Sequence, residues 1–273
     1  MSKRNSQANK SAARERLRAE RERQAKKDKT RRQIIVGVSV VGVLAIVGAG
    51  TWGIMQLNKP SSWEAAKDAK NVTAPKNTSG DNGTTVVIGK PTAKKTLELY
   101  EDSRCPICGT LEQAVGETMR KDVDAGKYKI KYIGATFIDG DNSINGVGSK
   151  NALSALGAAL NVSPQAFLDY KSALYSPKFH PEETDDKFKD DAYLIKIADT
   201  VEALKGNKAF QKDVKDGTYD SWAMKMSGAF EKSGVRGTPT LKMDGKALTG
   251  KDGQNAPMTV ADFNTAVDKA LKS

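Results

Sequence analysis

Cysteine and histidine are scarce in this 273-residue sequence, which contains two cysteines and one histidine. A secreted domain that relies on disulfides for its stability needs more cysteines at wider spacings. Cys105 and Cys108 supply only half of a four-ligand zinc site. His180 lies in a proline-flanked loop, where we expect a surface residue rather than a ligand. We therefore expect a domain that folds through its hydrophobic core and carries one local thiol pair.

Negative charge is scarce near the N-terminus, where the excess of positive charge is concentrated. The formal net charge is +11, and the residues up to Arg32 hold about thirteen Lys or Arg against about four Asp or Glu. Only about +2 remains for the rest of the chain, so the folded part has no general electrostatic footprint for nucleic acid. We expect residues 1–33 to form a cytoplasmic basic segment that lies against anionic lipid headgroups.

Charged residues are absent between positions 34 and 55, where Val, Ile, Leu, Gly and Ala dominate. A helix of about 22 residues is roughly 33 Å long, which is enough to cross a bilayer. We predict one transmembrane helix at 34–56, and the positive-inside rule places everything after it outside the cytoplasm. The alternative is a cleaved signal peptide with a small-residue site at 47–49, which would also export the C-terminal part.

The remaining sequence predicts a linker followed by an α/β domain. Residues 57–83 include a stretch rich in Asn, Gly, Ser, Thr and Pro, which is typical of an extracytoplasmic linker. Residues 84–273 show a strand–helix–strand order, which favours a right-handed parallel unit, and a helical insert at about 148–216. The patterns predict strands at 84–88, 96–100, 127–133 and 240–243, helices at 105–123, 220–233 and 260–271, and a late hairpin around 244–245.

The two cysteines bracket the predicted start of a helix. Pro106 is favoured at the first helical position because its missing N–H would be unpaired there anyway, which makes Cys105 the N-cap. A Cys105 thiolate would accept hydrogen bonds from the N–H groups of Ile107 and Cys108 at the positive end of the helix dipole. We predict that Cys105 has a lowered pKa and attacks, and that Cys108 resolves the mixed disulfide. Arg104 should also favour the thiolate.

Other interpretations of the pair are weaker. Glu101 and Asp102 oppose the effect of Arg104, so the net effect of neighbouring charges stays open. A structural disulfide would close a very short loop and stabilise little. A chance spacing is contradicted by the proline between the cysteines and by a second motif at 237–240, Gly-Thr-Pro-Thr, whose proline is compatible with a cis peptide bond.

With these motifs, residues 84–273 resemble the DsbA-like branch of the thioredoxin superfamily. The matching residues are 97–100, the Cys-Pro-Ile-Cys motif at 105–108, and the motif at 237–240, with a helical insert between them. The resemblance implies a thioredoxin-like fold, an attacking Cys105, a resolving Cys108 and a cis-Pro239 beside the disulfide. It also implies that backbone groups of Thr238 pair with an extended substrate segment. The only redox group implied is the Cys105–Cys108 disulfide, without a bound cofactor or metal.

Two departures from the family pattern matter. The Pro106-Ile107 dipeptide lacks the histidine that helps the best-known oxidant of this type to stabilise its thiolate, so we expect a milder oxidant. Many relatives carry an acidic residue six positions before the first cysteine, where this chain has Leu99. Glu98 is one step away and would point to the other face of the strand. We therefore assign Glu98 no catalytic role.

The resulting hypothesis is a membrane-anchored, extracytoplasmic thiol–disulfide oxidoreductase that forms disulfides in unfolded or exported proteins. A membrane redox partner would reoxidise it. One alternative is a reductant or isomerase that uses the same site. Another is a tethered binding or chaperone module that uses the substrate groove without turnover.

Overall fold

The computed structural model describes residues 62–140 and 144–273. The predicted cytoplasmic segment and transmembrane helix lie outside these residues. Within the part that is described, no helix is long and apolar enough to cross a membrane.

The described residues form a mixed α/β structure with one sheet. The strands are β1 (Val86–Ile88), β2 (Lys95–Asp102), β3 (Tyr128–Ala135), β4 (Thr240–Met243) and β5 (Lys246–Ala247). The helices are α1 (Ser62–Asp68), α2 (Pro106–Ala125), α3 (Gly148–Val162), α4 (Pro164–Leu174), α5 (Asp191–Ala198), α6 (Lys208–Lys215), α7 (Asp220–Lys232) and α8 (Val260–Lys272). Short 3₁₀ turns lie at Asp81–Gly83, Phe137–Gly140 and Lys187–Lys189.

The sheet has the order β1-β3-β2-β4-β5, with β2 at its centre. β2 is parallel to β3 and antiparallel to β4, so Leu99 lies opposite both Tyr132 and Leu241. β4 continues into the antiparallel β5. The sequence-based prediction of a parallel unit with a late antiparallel hairpin in the same sheet is therefore confirmed.

Successive residues of β2 contribute to different hydrophobic clusters because strand side chains alternate between faces. Leu97 and Leu99 are fully buried in a cluster with residues of α2 and α8. Tyr100 belongs to a larger cluster and makes an edge contact with Phe230 of α7, with ring centroids 6.3 Å apart. The larger cluster also holds most of the apolar side chains of the helical insert.

The first turn of α2 has the geometry that its sequence predicts. Cys105 is the N-cap with extended backbone angles (φ −69°, ψ 118°), and Pro106 occupies the first helical position. The helix ends at Ala125 and is capped by Gly126, which adopts the left-handed conformation (φ 79°) that glycine tolerates without a Cβ penalty. The Gly126 N–H donates to the last carbonyls of the helix, those of Asp122 and Val123.

The segment before β1 contacts the helical part of the domain. The Asn77 side chain donates to the Leu160 carbonyl at 2.7 Å, and the buried Trp222 indole N–H donates to the Gly83 carbonyl at 2.8 Å. Both Asn77 and Gly83 lie inside the segment that the sequence predicts as a linker. The domain boundaries themselves stay predictions.

Replacing the indole of Trp222 should destabilise the domain through this contact. Trp222→Phe removes the only indole donor to the Gly83 carbonyl and leaves a void, so we expect the free energy of unfolding to fall by about 2–4 kcal/mol. Urea denaturation measures the loss. Trp63→Phe, the same change at a half-buried site in α1, is the control and should cost less than half as much. Equal losses in the two variants would contradict this assignment.

Candidate active site

Cys105 and Cys108 lie where the loop after β2 enters α2. The Cys105 N–H donates to the Asp102 carbonyl at 2.9 Å, and the Gly109 N–H donates to the Cys105 carbonyl at 3.1 Å. Cys105 is 6% exposed, Cys108 is fully buried, and both are free thiols in this structure. Ile107 between them is 42% exposed. The sulfur of Cys105 therefore lies closer to solvent, beside an exposed apolar side chain.

The second predicted motif lies beside the first. The Thr238–Pro239 peptide bond is cis, as the resemblance implies. The Cys105 Sγ lies 3.5 Å from the Thr238 carbonyl oxygen, although 133 residues separate the two in the chain. A cavity of about 260 Å³ adjoins this loop, and its lining includes Thr238, Pro239, Leu248 and Asn255.

The two thiols have opposite electrostatic environments. A hydrogen bond from the Cys108 thiol lowers the pKa of Cys105, and Thr238 and the N–H groups of Cys108 and Ile107 act in the same direction against the effect of burial. The Cys105 thiol itself makes no capping hydrogen bond, so these N–H groups act on the thiolate. Burial raises the pKa of Cys108 well above its ordinary value, and the charge on Glu101 raises it further.

A buried cluster of charged residues lies near Cys108. Lys171 of α4 is 2.6 Å from the Glu112 carboxylate of α2 and 3.1 Å from that of Glu101 at the end of β2. Burial raises the pKa of Glu101 to about 7, with Glu112 adding to the effect and Lys171 opposing it. Burial alone would lower the pKa of Lys171, but the two carboxylates raise it. The sequence predicted that Glu101 opposes the thiolate, but it did not predict that this carboxylate is fully buried.

Arg104 forms ion pairs with two aspartates. Its guanidinium is fully buried, 2.8 Å from Asp139 and 3.3 Å from Asp186, and donates to the Glu183 carbonyl at 2.7 Å. The positive charge is therefore paired with Asp139, which precedes the helical insert, and with Asp186, which lies within it. No sequence pattern predicts this pairing, because both aspartates lie far from Arg104 in the chain.

Asp102, at the end of β2, and Tyr175 fix the start of the loop that precedes Cys105. The Asp102 carboxylate accepts from the Ser149 hydroxyl at 2.6 Å and from the Arg104 N–H at 3.0 Å. Burial raises the pKa of Asp102 to about 7. Tyr175 packs against both cysteines in a small cluster, and its hydroxyl donates to the Asp102 carbonyl at 3.0 Å.

His180 is not the surface residue that the sequence predicts. Its ring is half-buried, stacks on Tyr175 and lies 3.1 Å from the Ser103 carbonyl through Nε2. Among residues 62–140 and 144–273, no group of three or more His, Cys, Asp and Glu side chains is arranged to hold a metal ion.

Comparison with known proteins agrees with a thioredoxin-like fold. A family model described as thioredoxin matches residues 81–269, and the chain belongs to this family. Disulfide bond formation protein D of Bacillus subtilis is 23% identical over 163 residues, which cover 59% of this chain and 68% of that protein.

Solved structures show the same fold. Oxidised DsbA of Mycobacterium tuberculosis has a TM-score of 0.53 at 24% identity, covering 69% of this chain and 98% of its own. MdbA of Corynebacterium diphtheriae, a thiol-disulfide oxidoreductase, has a TM-score of 0.53 at 20% identity, covering 76% and 98%. These relatives and neighbours are thiol–disulfide oxidoreductases, as the sequence-based prediction of the enzyme class requires.

Glu101 should make stability fall with rising pH. Its pKa is raised from 4.5 to about 7 in the folded state, so the proton it retains stabilises the fold below about pH 4.5, and this contribution is lost as the pH rises through 7. Glu101→Gln cannot titrate, and Lys171 keeps Glu112 as a partner. We expect the loss of unfolding free energy between pH 5 and pH 8 to shrink by about 1–3 kcal/mol.

Urea denaturation at several pH values measures this effect. Glu98→Gln is the control on the same strand, because hydrogen bonds from Lys131 and Tyr100 outweigh burial and lower the pKa of Glu98. That variant should not flatten the pH dependence. The assignment fails if Glu101→Gln and the unaltered protein lose stability in parallel.

Proposed function

We propose that this protein is an extracytoplasmic thiol–disulfide oxidoreductase that forms disulfides in exported proteins. Its redox centre would be Cys105-Pro106-Ile107-Cys108. The observation that carries the proposal is the contrast between the two sulfurs: the pKa of Cys105 is lowered and that of the enclosed Cys108 is raised. A pair of this kind has one sulfur suited to exchange with substrate and one that stays protonated.

The reaction is a pair of thiol–disulfide exchanges. A substrate thiolate attacks the Cys105 sulfur of the enzyme disulfide, the Cys105–Cys108 bond breaks, and its electron pair leaves on Cys108. A second substrate thiolate then attacks the substrate sulfur of the mixed disulfide and releases Cys105 as a thiolate. The substrate loses two electrons and the enzyme gains them. Because Cys105 is stabilised as a thiolate, it is a good leaving group in the second step.

The proton that Cys108 takes up when it leaves can come from Glu101. The charge on Glu101 raises the pKa of Cys108, and the pKa of Glu101 itself is about 7. A carboxylic acid with that pKa donates a proton readily near neutral pH. Protonated Cys108 is then a poor nucleophile, so the mixed disulfide persists long enough for the second substrate thiol to react.

The substrate would bind across the Thr238–Pro239 loop. An extended chain can pair with the backbone of Thr238, which keeps binding independent of most substrate side chains. Ile107 and Phe137 are 42% and 46% exposed and provide apolar surface for an unfolded chain. Such a surface suits many different exported proteins.

The remaining parts of the proposal concern location and partners. The segment at 34–56 would anchor the chain, with residues 1–33 in the cytoplasm and the catalytic domain outside. A membrane redox partner would reoxidise the dithiol, so that the enzyme needs no bound cofactor. Nucleic acid is not a partner in this account.

Cysteine variants test the proposal. Each molecule of oxidised enzyme should form one disulfide in reduced, unfolded ribonuclease A and become a dithiol. Cys105→Ser and Cys108→Ser should both reduce the rate to the uncatalysed level, because neither can form the enzyme disulfide. Only Cys108→Ser should trap a mixed disulfide when it is mixed with an oxidised substrate, because it retains the attacking sulfur. Non-reducing gels and thiol titration follow these species.

Two outcomes would reject the proposal. If Cys105→Ser trapped substrate as efficiently as Cys108→Ser, the roles of the two sulfurs would be reversed. If the oxidised enzyme left ribonuclease A reduced but the dithiol form reduced insulin, the site would serve a reductant.

A further inference from the structure

The segment at 175–186 holds the loop before Cys105 at three consecutive residues. The contacts are Tyr175 hydroxyl to Asp102 carbonyl at 3.0 Å, His180 Nε2 to Ser103 carbonyl at 3.1 Å, and Arg104 guanidinium to Glu183 carbonyl at 2.7 Å. Of the three side chains that make these contacts, only the imidazole changes its charge near neutral pH in ordinary surroundings.

The His180 ring also lies against the first turn of α2. One face stacks on Tyr175, with centroids 5.5 Å apart and an interplanar angle of 27°. A Cβ placed on Gly109 would lie 3.4 Å from the ring atoms Nδ1 and Cε1 and 3.5 Å from Cδ2, so the first turn of α2 lies over a face of the imidazole. Gly109 lies one helical turn after Cys105, which is the N-cap of α2. The ring therefore packs on the first turn of the helix whose N-terminus carries the Cys105 sulfur.

We propose that His180 is a positioning residue of the redox centre, whose imidazole holds the Ser103 carbonyl against α2 and whose protonation is linked to the charge on the Cys105 sulfur. The inference rests on the proposed function, in which Cys105 is the reactive thiolate. The neutral ring donates from Nε2, because the Ser103 carbonyl can only accept. A second proton goes to Nδ1. A thiolate on Cys105 favours that proton, and by reciprocity the imidazolium favours the thiolate.

Several other groups face this ring. Burial lowers the pKa of His180, while the Ser103 carbonyl and Glu182 oppose that effect. Arg104 is paired with two aspartates, and the Lys171 ammonium lies 5.3 Å from the centroid of the Tyr175 ring. Glu101 and Asp102 also titrate near pH 7. A test must therefore remove only the thiolate and leave these groups in place.

The single histidine of the chain provides a direct readout by NMR. The full-length protein, carrying no histidine tag and labelled with ¹³C-histidine, is titrated as the dithiol and as Cys105→Ser. The serine variant keeps every other charge near the ring. We expect the imidazole midpoint to be higher in the dithiol than in Cys105→Ser by at least about 0.4 pH unit, the effect of one charge several ångströms away. Midpoints that agree within about 0.1 unit would overturn the linkage.

Absorbance of the thiolate in the same samples separates this inference from the proposed function. If a Cys105 thiolate forms below pH 7 but the imidazole midpoint is unchanged, only the inference fails. If no thiolate forms below about pH 8, the ordinary range of a free cysteine, both fail.

Two substitutions test the positioning role. His180→Gln keeps an N–H donor for the Ser103 carbonyl, whereas His180→Phe keeps the stacked ring but cannot donate. We expect Cys105 in the glutamine variant to be alkylated at pH 7 within about threefold of the unaltered rate, and in the phenylalanine variant at least about tenfold more slowly. Unaltered rates in both variants would contradict the role. If His180→Phe does not fold, the comparison of imidazole midpoints between the dithiol and Cys105→Ser decides whether the proposal stands.

Discussion

The buried guanidinium of Arg104 is the interaction on which the arrangement of the site depends. It joins the loop before Cys105 to Asp139 and Asp186. Both aspartates also accept hydrogen bonds from backbone N–H groups at the start of α3. A buried charge without partners is costly, so separation of the loop from its partners would leave the fully buried charges of Arg104 and Asp139 unpaired. The insert is therefore part of the support of the redox centre.

The rigid loop places two chemically similar thiols in different surroundings. Cys105 is held at the N-terminus of α2, and a hydrogen bond from the Thr238 side chain adds to the effects that favour its thiolate. Cys108 is enclosed next to the cluster of Glu101, Lys171 and Glu112, whose net charge is negative when both carboxylates are ionised. The first turn of one helix thus holds one sulfur whose pKa is lowered and one whose pKa is raised. In the proposed reaction this difference between the two sulfurs, rather than the motif alone, makes Cys105 the one that reacts with substrate.

Local patterns in the sequence predicted much of the fold. They failed where contacts between residues far apart in the chain determine the structure. The strand Thr240–Met243 has the bounds that were predicted, because its alternation and flanking turn are local. β2 was predicted to end at residue 100 but continues to Asp102, so Glu101 lies in the buried strand. The extension places the buried Glu101 two residues after Leu99, on the same face of the strand. The contacts of His180 join residues far apart in the chain, and no spacing pattern could reveal them.

The equilibrium reduction potential of the Cys105–Cys108 pair against glutathione tests the central claim most directly. A stabilised thiolate on Cys105 favours the dithiol, so the account predicts a potential above about −180 mV, in the range of proteins that donate disulfides. A potential near or below about −270 mV would contradict the account, because the pair would then resist reduction by its substrates and would suit a reductant or a structural disulfide.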